Sequence, residues 1–179
     1  WSALGNGVGG TVKAIAAAEN IYVGGTFTTA GGSPANYVAK WDGVAWSALG
    51  NGVSGTVNAL AVDGLGNVYA GGNFATAGKP AASNIAKWDG STWTTLGTGL
   101  NDTVNALLID GSGNLYAGGL FSAAGSTNVN RIAKWNGSVW EALGTGTDFA
   151  VSALAVDDAD SIYAGGTFNT AGGITANYV

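Results

Sequence analysis

The sequence predicts an all-β chain made of four repeats, each a set of short antiparallel strands. Three observations carry that expectation. Trp1, Trp46, Trp93 and Trp140 each open the motif W-x-x-L-G-x-G, at spacings of 45, 47 and 47 residues. Apolar runs of strand length alternate with turns rich in Gly, Asn and Asp, the punctuation of antiparallel hairpins. No window keeps a 3.6-residue apolar period long enough for a helix. The units run 1–45, 46–92, 93–139 and 140–179, the last cut short, so residues 1–179 read as one array.

The second unit shows the elements in order. VNALAVD, Val57 to Asp63, is an apolar strand that ends at the glycine-rich turn GLGN. VYAGGNF, Val68 to Phe74, follows with the β-formers Val, Tyr and Phe. A polar loop, Ala75 to Ser83, leads into NIAKWD, Asn84 to Asp89, and a Gly90-Ser91 turn returns the chain as TWTTLG. Period-2 alternation puts Val57, Ala59 and Ala61 on one face and Leu60 and Val62 on the other. Both faces are apolar, as in a sheet sandwiched between neighbours. Four strands per unit and a period of about 47 residues make a β-propeller of four-stranded antiparallel blades.

Two recurrent features need a reason within that frame. Trp41/Trp46, Trp88/Trp93 and Trp135/Trp140 flank Asp-Gly or Asn-Gly turns. Their repetition in every unit points to packing between blades, since a binding site seldom needs every copy; stacking platforms for sugars are the functional rival. The glycine pairs Gly24/Gly25, Gly71/Gly72, Gly118/Gly119 and Gly165/Gly166 end the second strand. They read as close strand approach or a bulge. No P-loop lysine or following helix supports a phosphate cradle. The same residues carry a resemblance. Y-[VA]-G-G followed by W-[DN]-G-x-x-W resembles the kelch-type β-propeller blade, although kelch tryptophans are about six apart and these are five. The longer pattern G-G-x-F-x-x-A-G-G-x-x-x-N-x-[IV]-A-K-W is similar to arrays in bacterial secreted proteins and fungal cell-surface polarity markers. The resemblance implies the fold and leaves function open, because propellers host enzymes, receptors, lectins and scaffolds.

Composition narrows the function. The net charge is −5 and the six basic residues are scattered, so no basic footprint exists for nucleic acid or anionic lipid. The longest apolar runs, AIAAA and ALLI, are far shorter than the ~20 residues of a membrane helix. Histidine and cysteine are absent and only two glutamates occur, Glu19 and Glu141, in unrelated repeat positions. Serine–histidine chemistry, thiolate chemistry and a glycosidase carboxylate pair are therefore not expected, nor is a cofactor. The turn Asp157-Asp158-Ala159-Asp160 is the best calcium candidate, but Asp, Gly and Asn are also what hairpin turns need. Lys40, Lys87 and Lys134 recur beside tryptophan, to pair with Asp or to cover apolar surface. Asn101 and Asn136 open glycosylation sequons.

The chain does not begin with methionine, which fits a segment of a longer product; its Gly, Thr, Ser, Asn and Ala richness suits a secreted or surface protein. It starts in a fourth strand, Trp1 to Gly5, and stops early in a third, at Tyr178 and Val179. That phase suits self-association of two chains into an eight-bladed ring, or a longer array. The function expected is a non-enzymatic extracellular scaffold. A lectin-like binder of glycans, or the structural propeller of a larger enzyme, are the alternatives.

Overall fold

The computed structural model describes residues 1–79 and 81–179. Pro80, within the predicted loop Ala75 to Ser83, lies outside the described residues. The described residues hold strands and no helix. Grouped by sheet, each structural unit ends with the strand that opens the next sequence repeat, and the first contributes β1 (Val12–Ala17), β2 (Ile21–Gly25), β3 (Thr29–Ala30), β4 (Ser33–Pro34), β5 (Val38–Trp41) and β6 (Trp46–Ala48). The second contributes β7 (Thr56–Val62), β8 (Val68–Asn73), β9 (Ile85–Trp88) and β10 (Trp93–Thr94). The third contributes β11 (Val104–Ile109), β12 (Leu115–Gly119), β13 (Ala123–Ala124), β14 (Thr127–Asn128), β15 (Ile132–Trp135) and β16 (Trp140–Ala142). The last contributes β17 (Val151–Val156), β18 (Ile162–Gly166), β19 (Thr170–Ala171) and β20 (Ile174–Thr175).

These strands form three antiparallel four-stranded sheets, ordered β1-β2-β5-β6, β7-β8-β9-β10 and β11-β12-β15-β16, and a two-stranded sheet β17-β18. Each sheet stacks on the next. One core joins Tyr22 and Val38 of the first sheet to Val57, Leu60, Val68 and Ala70 of the second. The following core joins Tyr69 and Ile85 of the second to Val104, Leu115 and Ala117 of the third. Val57, Val68, Ile85 and Val104 are fully buried, and each such side chain contributes roughly 1.5–3 kcal/mol. A middle sheet thus has two buried faces, which is why its strands read as apolar on both sides.

The structure corrects the predicted strand alternation. The register shifts between Val57 and Ala59, and likewise between Val12 and Ala14, Val104 and Ala106, and Val151 and Ala153. This β-bulge adds a residue and turns Val57 onto the side of Leu60 and Val62, toward the preceding sheet; Ala61 faces the following one. There are two further differences. The polar loops contain the small hairpins β3–β4, β13–β14 and β19–β20. Trp1 to Leu4 forms no strand. Its equivalents Trp46, Trp93 and Trp140 pair with Trp41, Trp88 and Trp135.

The first strands of successive sheets stand side by side and are tied through polar side chains. The Asn58 amide donates to the Val104 carbonyl oxygen at 3.1 Å, and Asn105 repeats the bond to Val151 at 3.2 Å. Lys13 Nζ donates to Asn58 Oδ1 at 3.2 Å.

Candidate functional site

The tryptophan pairs are built by a short hairpin. Trp88 and Trp93 lie opposite each other, and Asp89 Oδ1 accepts the backbone N–H groups of Ser91 and Thr92 at 2.8 and 2.7 Å. Gly90 takes the first turn position at φ 98°, where a side chain would be strained. Asp42 and Asn136 hold the other two turns in the same way. The indoles pack tilted, with ring centroids 5.4, 5.5 and 5.3 Å apart for the pairs at 41/46, 88/93 and 135/140.

Each pair latches onto the preceding unit. The indole N–H of Trp46 donates to the Leu4 carbonyl oxygen at 2.8 Å, that of Trp93 to Leu49 at 2.8 Å, and that of Trp140 to Leu96 at 3.0 Å. The glycine after each leucine receives the other indole: a Cβ on Gly5 or Gly50 would lie 3.0 Å from the ring of Trp41 or Trp88. The motif W-x-x-L-G is therefore a latch and its keeper. The tryptophan belongs to its own sheet, and its Leu-Gly receives the next pair. Beside each pair lies an open hollow of about 320, 280 or 260 Å³. The one at Trp135 and Trp140 is edged by Thr98, Ser126 and Ser138.

The two glycines of each pair have different neighbours. A Cβ on Gly71 would lie 2.6 Å from Cγ1 of Val104, and one on Gly118 2.5 Å from Cγ1 of Val151, so the first glycine is a socket for the next sheet. Gly24 receives Val57 in the same manner. Gly165 has only the Tyr178 carbonyl oxygen nearby, at 3.8 Å. The second glycines, Gly25, Gly72, Gly119 and Gly166, press on the backbone of Thr11, Thr56, Thr103 and Ala150 at the bulge of their own sheet. Their N–H groups donate to the carbonyl oxygens of Tyr37, Asn84, Arg131 and Tyr178 at 2.9–3.0 Å. Those four residues all have positive φ, from 63° to 78°. Sequence reasoning missed this position because Tyr, Asn, Arg and Tyr share no side-chain chemistry. It also missed the leucine carbonyls, although the recurring Leu-Gly was in view.

The aspartate turns spend their oxygens on the chain. Asp157 Oδ1 accepts the N–H groups of Ala159 and Ser161, both at 2.9 Å, and Oδ2 accepts the Tyr163 hydroxyl at 3.0 Å. Asp63 and Asp110 repeat the arrangement with Tyr69 and Tyr116 and add an Asn amide, from Asn67 and Asn114. Asp160 is turned toward the third unit, where it accepts the Gly111 N–H at 3.0 Å. The candidate ligands Asp157, Asp158 and Asp160 are not gathered, and no cluster of three metal-ligating side chains occurs among the described residues.

A family model described as the Rax2 C-terminal beta propeller domain matches residues 1–148. The chain belongs to this Rax2 β-propeller family. The match shows a β-propeller family, the coarser part of the resemblance read from the glycine and tryptophan motifs. No curated protein matches the chain. A solved structure, the extracellular domain of the putative one component system BT4673 from B. thetaiotaomicron, is similar at 14% identity with a TM-score of 0.59. That similarity covers 88% of this chain and 20% of the other, so it concerns the fold alone.

In this Rax2-type propeller chain the turn aspartates and the strand tyrosines set each other's charge. Burial raises the Asp63 carboxyl, but the Asn67, Leu65 and Tyr69 hydrogen bonds outweigh it and the net shift is downward. Asp110 behaves alike. Burial, then the charge of Asp63 and its hydrogen bond, push the Tyr69 hydroxyl up to about 12. The lysines take a place not foreseen in detail: Lys87 and Lys134 stand over the rings of Tyr69 and Tyr116, 5.7 and 5.8 Å from the centroids. No helix here is long and apolar enough to cross a membrane.

Proposed function

We propose that the chain is a non-enzymatic, extracellular propeller scaffold that acts through protein contacts, self-assembly among them. Each repeat of about 47 residues is one four-stranded blade in this reading, and the chain carries four. The observation that carries it is where the recurrent polar groups go. The turn aspartates, the indole N–H groups and the loop asparagines all close turns or join units, which leaves them engaged as structure. The matched family and the extracellular neighbour support the surface location. A panel of glycoside, ester, phosphodiester and oxidase substrates tests the first half of the claim. Turnover above the buffer blank that co-purifies with the chain would sink it.

The three hollows favour a second reading, a lectin-like binder with equivalent aromatic pockets. Two of them set tryptophans beside hydroxyl groups and the third sets Trp41 and Trp46 beside Asn6, the mixed aromatic and polar surroundings that suit a pyranose ring. Titration of oligosaccharides against tryptophan fluorescence decides it: saturable quenching with several equivalent sites supports the lectin, and an unchanged spectrum removes it.

A further inference from the structure

Asparagine followed by glycine is a labile step, because a glycine amide nitrogen, unhindered by a side chain of its own, can close a succinimide ring on the asparagine Cγ. The sequence holds three such steps, Asn6-Gly7, Asn51-Gly52 and Asn136-Gly137. The fold treats them differently. The Gly7 and Gly52 N–H groups donate to the Leu4 and Leu49 carbonyl oxygens, each at 3.0 Å. Gly52 is buried, and a Cβ on it would lie 2.2 Å from the Asn36 carbonyl oxygen. Both amides are thus committed to the turns that hold the latch leucines. Gly137 is exposed and has nothing within 4 Å of where a Cβ would stand. Its N–H meets no acceptor among the described residues.

The Asn136 side chain is already oriented for attack. Its Oδ1 accepts the Ser138 and Val139 N–H groups, both at 3.0 Å. Those two donors stand where negative charge gathers when Cγ is attacked. Its Nδ2, the group that has to leave, is held by Glu141 Oε1 at 2.6 Å. Residues 136–139 are all exposed, so water reaches the turn. The product also fits. Asp42 and Asp89 occupy the same position in the first two hairpins and accept the same pair of N–H groups.

We propose that Asn136 is a modification site of the folded chain, a turn that deamidates itself while the fold protects Asn6 and Asn51. The Gly137 nitrogen forms a bond to Asn136 Cγ, and the Cγ–Nδ2 bond breaks. The Gly137 amide proton goes to water, water returns one to Nδ2, and ammonia leaves. A second water opens the succinimide. Attack at Cγ leaves aspartate at 136, and attack at the main-chain carbonyl carbon leaves an isoaspartyl linkage. No oxidant or reductant enters. Either product puts a carboxylate where a neutral amide met Glu141. The isoaspartyl form also adds a methylene to the main chain between Trp135 and Trp140, the pair that latches onto Leu96. The site needs neither the scaffold nor the lectin reading.

Peptide mapping by mass spectrometry on the whole 179-residue chain tests it, after incubation in warm, mildly alkaline buffer, once folded and once in urea. In urea the three steps should convert from amide to acid at similar rates, because the fold no longer separates them. In the folded chain Asn136 should convert roughly tenfold or more faster than Asn6 and Asn51, whose glycine amides must first be freed by local opening. Ammonia released from the folded chain should match the conversion at Asn136. Asn136→Asp, which is one of the two products, should keep the native spectrum and release no ammonia while folded. Asn6 or Asn51 converting as fast as Asn136 in the folded chain would overturn the proposal. So would an Asn136 that stays intact when folded and converts in urea.

Discussion

At the scale of the residue, the indole N–H of the second tryptophan is the contact that fixes one unit on the last. Trp93→Phe keeps most of the buried ring and removes the donor to Leu49. It should cost about 0.5–1.5 kcal/mol in urea unfolding, the range for one lost hydrogen bond, because the Leu49 carbonyl oxygen keeps the Gly52 N–H. Trp93 is 6% exposed and Trp46 is only half-buried, so Trp46→Phe should cost less. The importance of these residues was legible because W, L and G recur in step. What the residue types withheld was direction: nothing in W-x-x-L-G says that the tryptophan binds backward and the Leu-Gly receives forward. The positive-φ residue opposite each glycine pair was hidden altogether, since its job falls to the backbone.

At the scale of the element, the aspartate turn is a small pH-sensitive clamp. The carboxyls of Asp63 and Asp110 are lowered when folded, so their stabilisation is complete above the unfolded pKa near 3.9 and is lost as the pH falls through the folded value. Tyr69 is raised to about 12, so its contribution is complete below about 10 and fades as the pH rises from there through 12. Tm scanned from pH 7 down to 2 and up to 12 should show both limbs. Asp63→Ala should shrink both limbs without removing them, since Asp110 keeps its share of the acid limb and burial still raises Tyr69, and a variant that keeps the wild-type profile would refute the clamp. The hairpin of the third unit shows a related compensation. Asn136 Nδ2 donates to Glu141 Oε1 at 2.6 Å, whereas the units with Asp42 and Asp89 carry Ser47 and Thr94 at the glutamate's place. Asn136→Asp should therefore destabilise at neutral pH by about 0.2–1 kcal/mol and become silent once carboxyls are protonated. Strand positions were readable from the Gly, Asn and Asp punctuation. The glycine pairs had marked a bulge as one reading, but its effect on the first strand was not readable, because a simple alternation has no mark for the residue inserted after Val57.

At the scale of the whole molecule, stability is the sum of repeats and junctions, so weakening one internal junction should lower the unfolding free energy of the whole array. The internal junctions are apolar, and added salt should leave the urea midpoint unchanged. A midpoint that falls steeply with salt would place the junction energy on charged groups instead. The array, its period and its sheet-on-sheet stacking were all in the sequence, since periodicity survives without side-chain detail. Which side of each junction is the socket and which the plug was not, because that depends on the hand in which glycine faces valine.

The central claim is that each first glycine is a socket filled by the next sheet, and Gly118 against Gly165 tests it most directly. Both have ordinary backbone conformations and differ only in what stands opposite. Unfolding free energies of Gly118→Ala and Gly165→Ala should be measured at a concentration too low for association. Gly118→Ala should lose about 1–3 kcal/mol through overpacking against Val151, and Gly165→Ala should match the unaltered chain. Equal losses in the two would contradict the account.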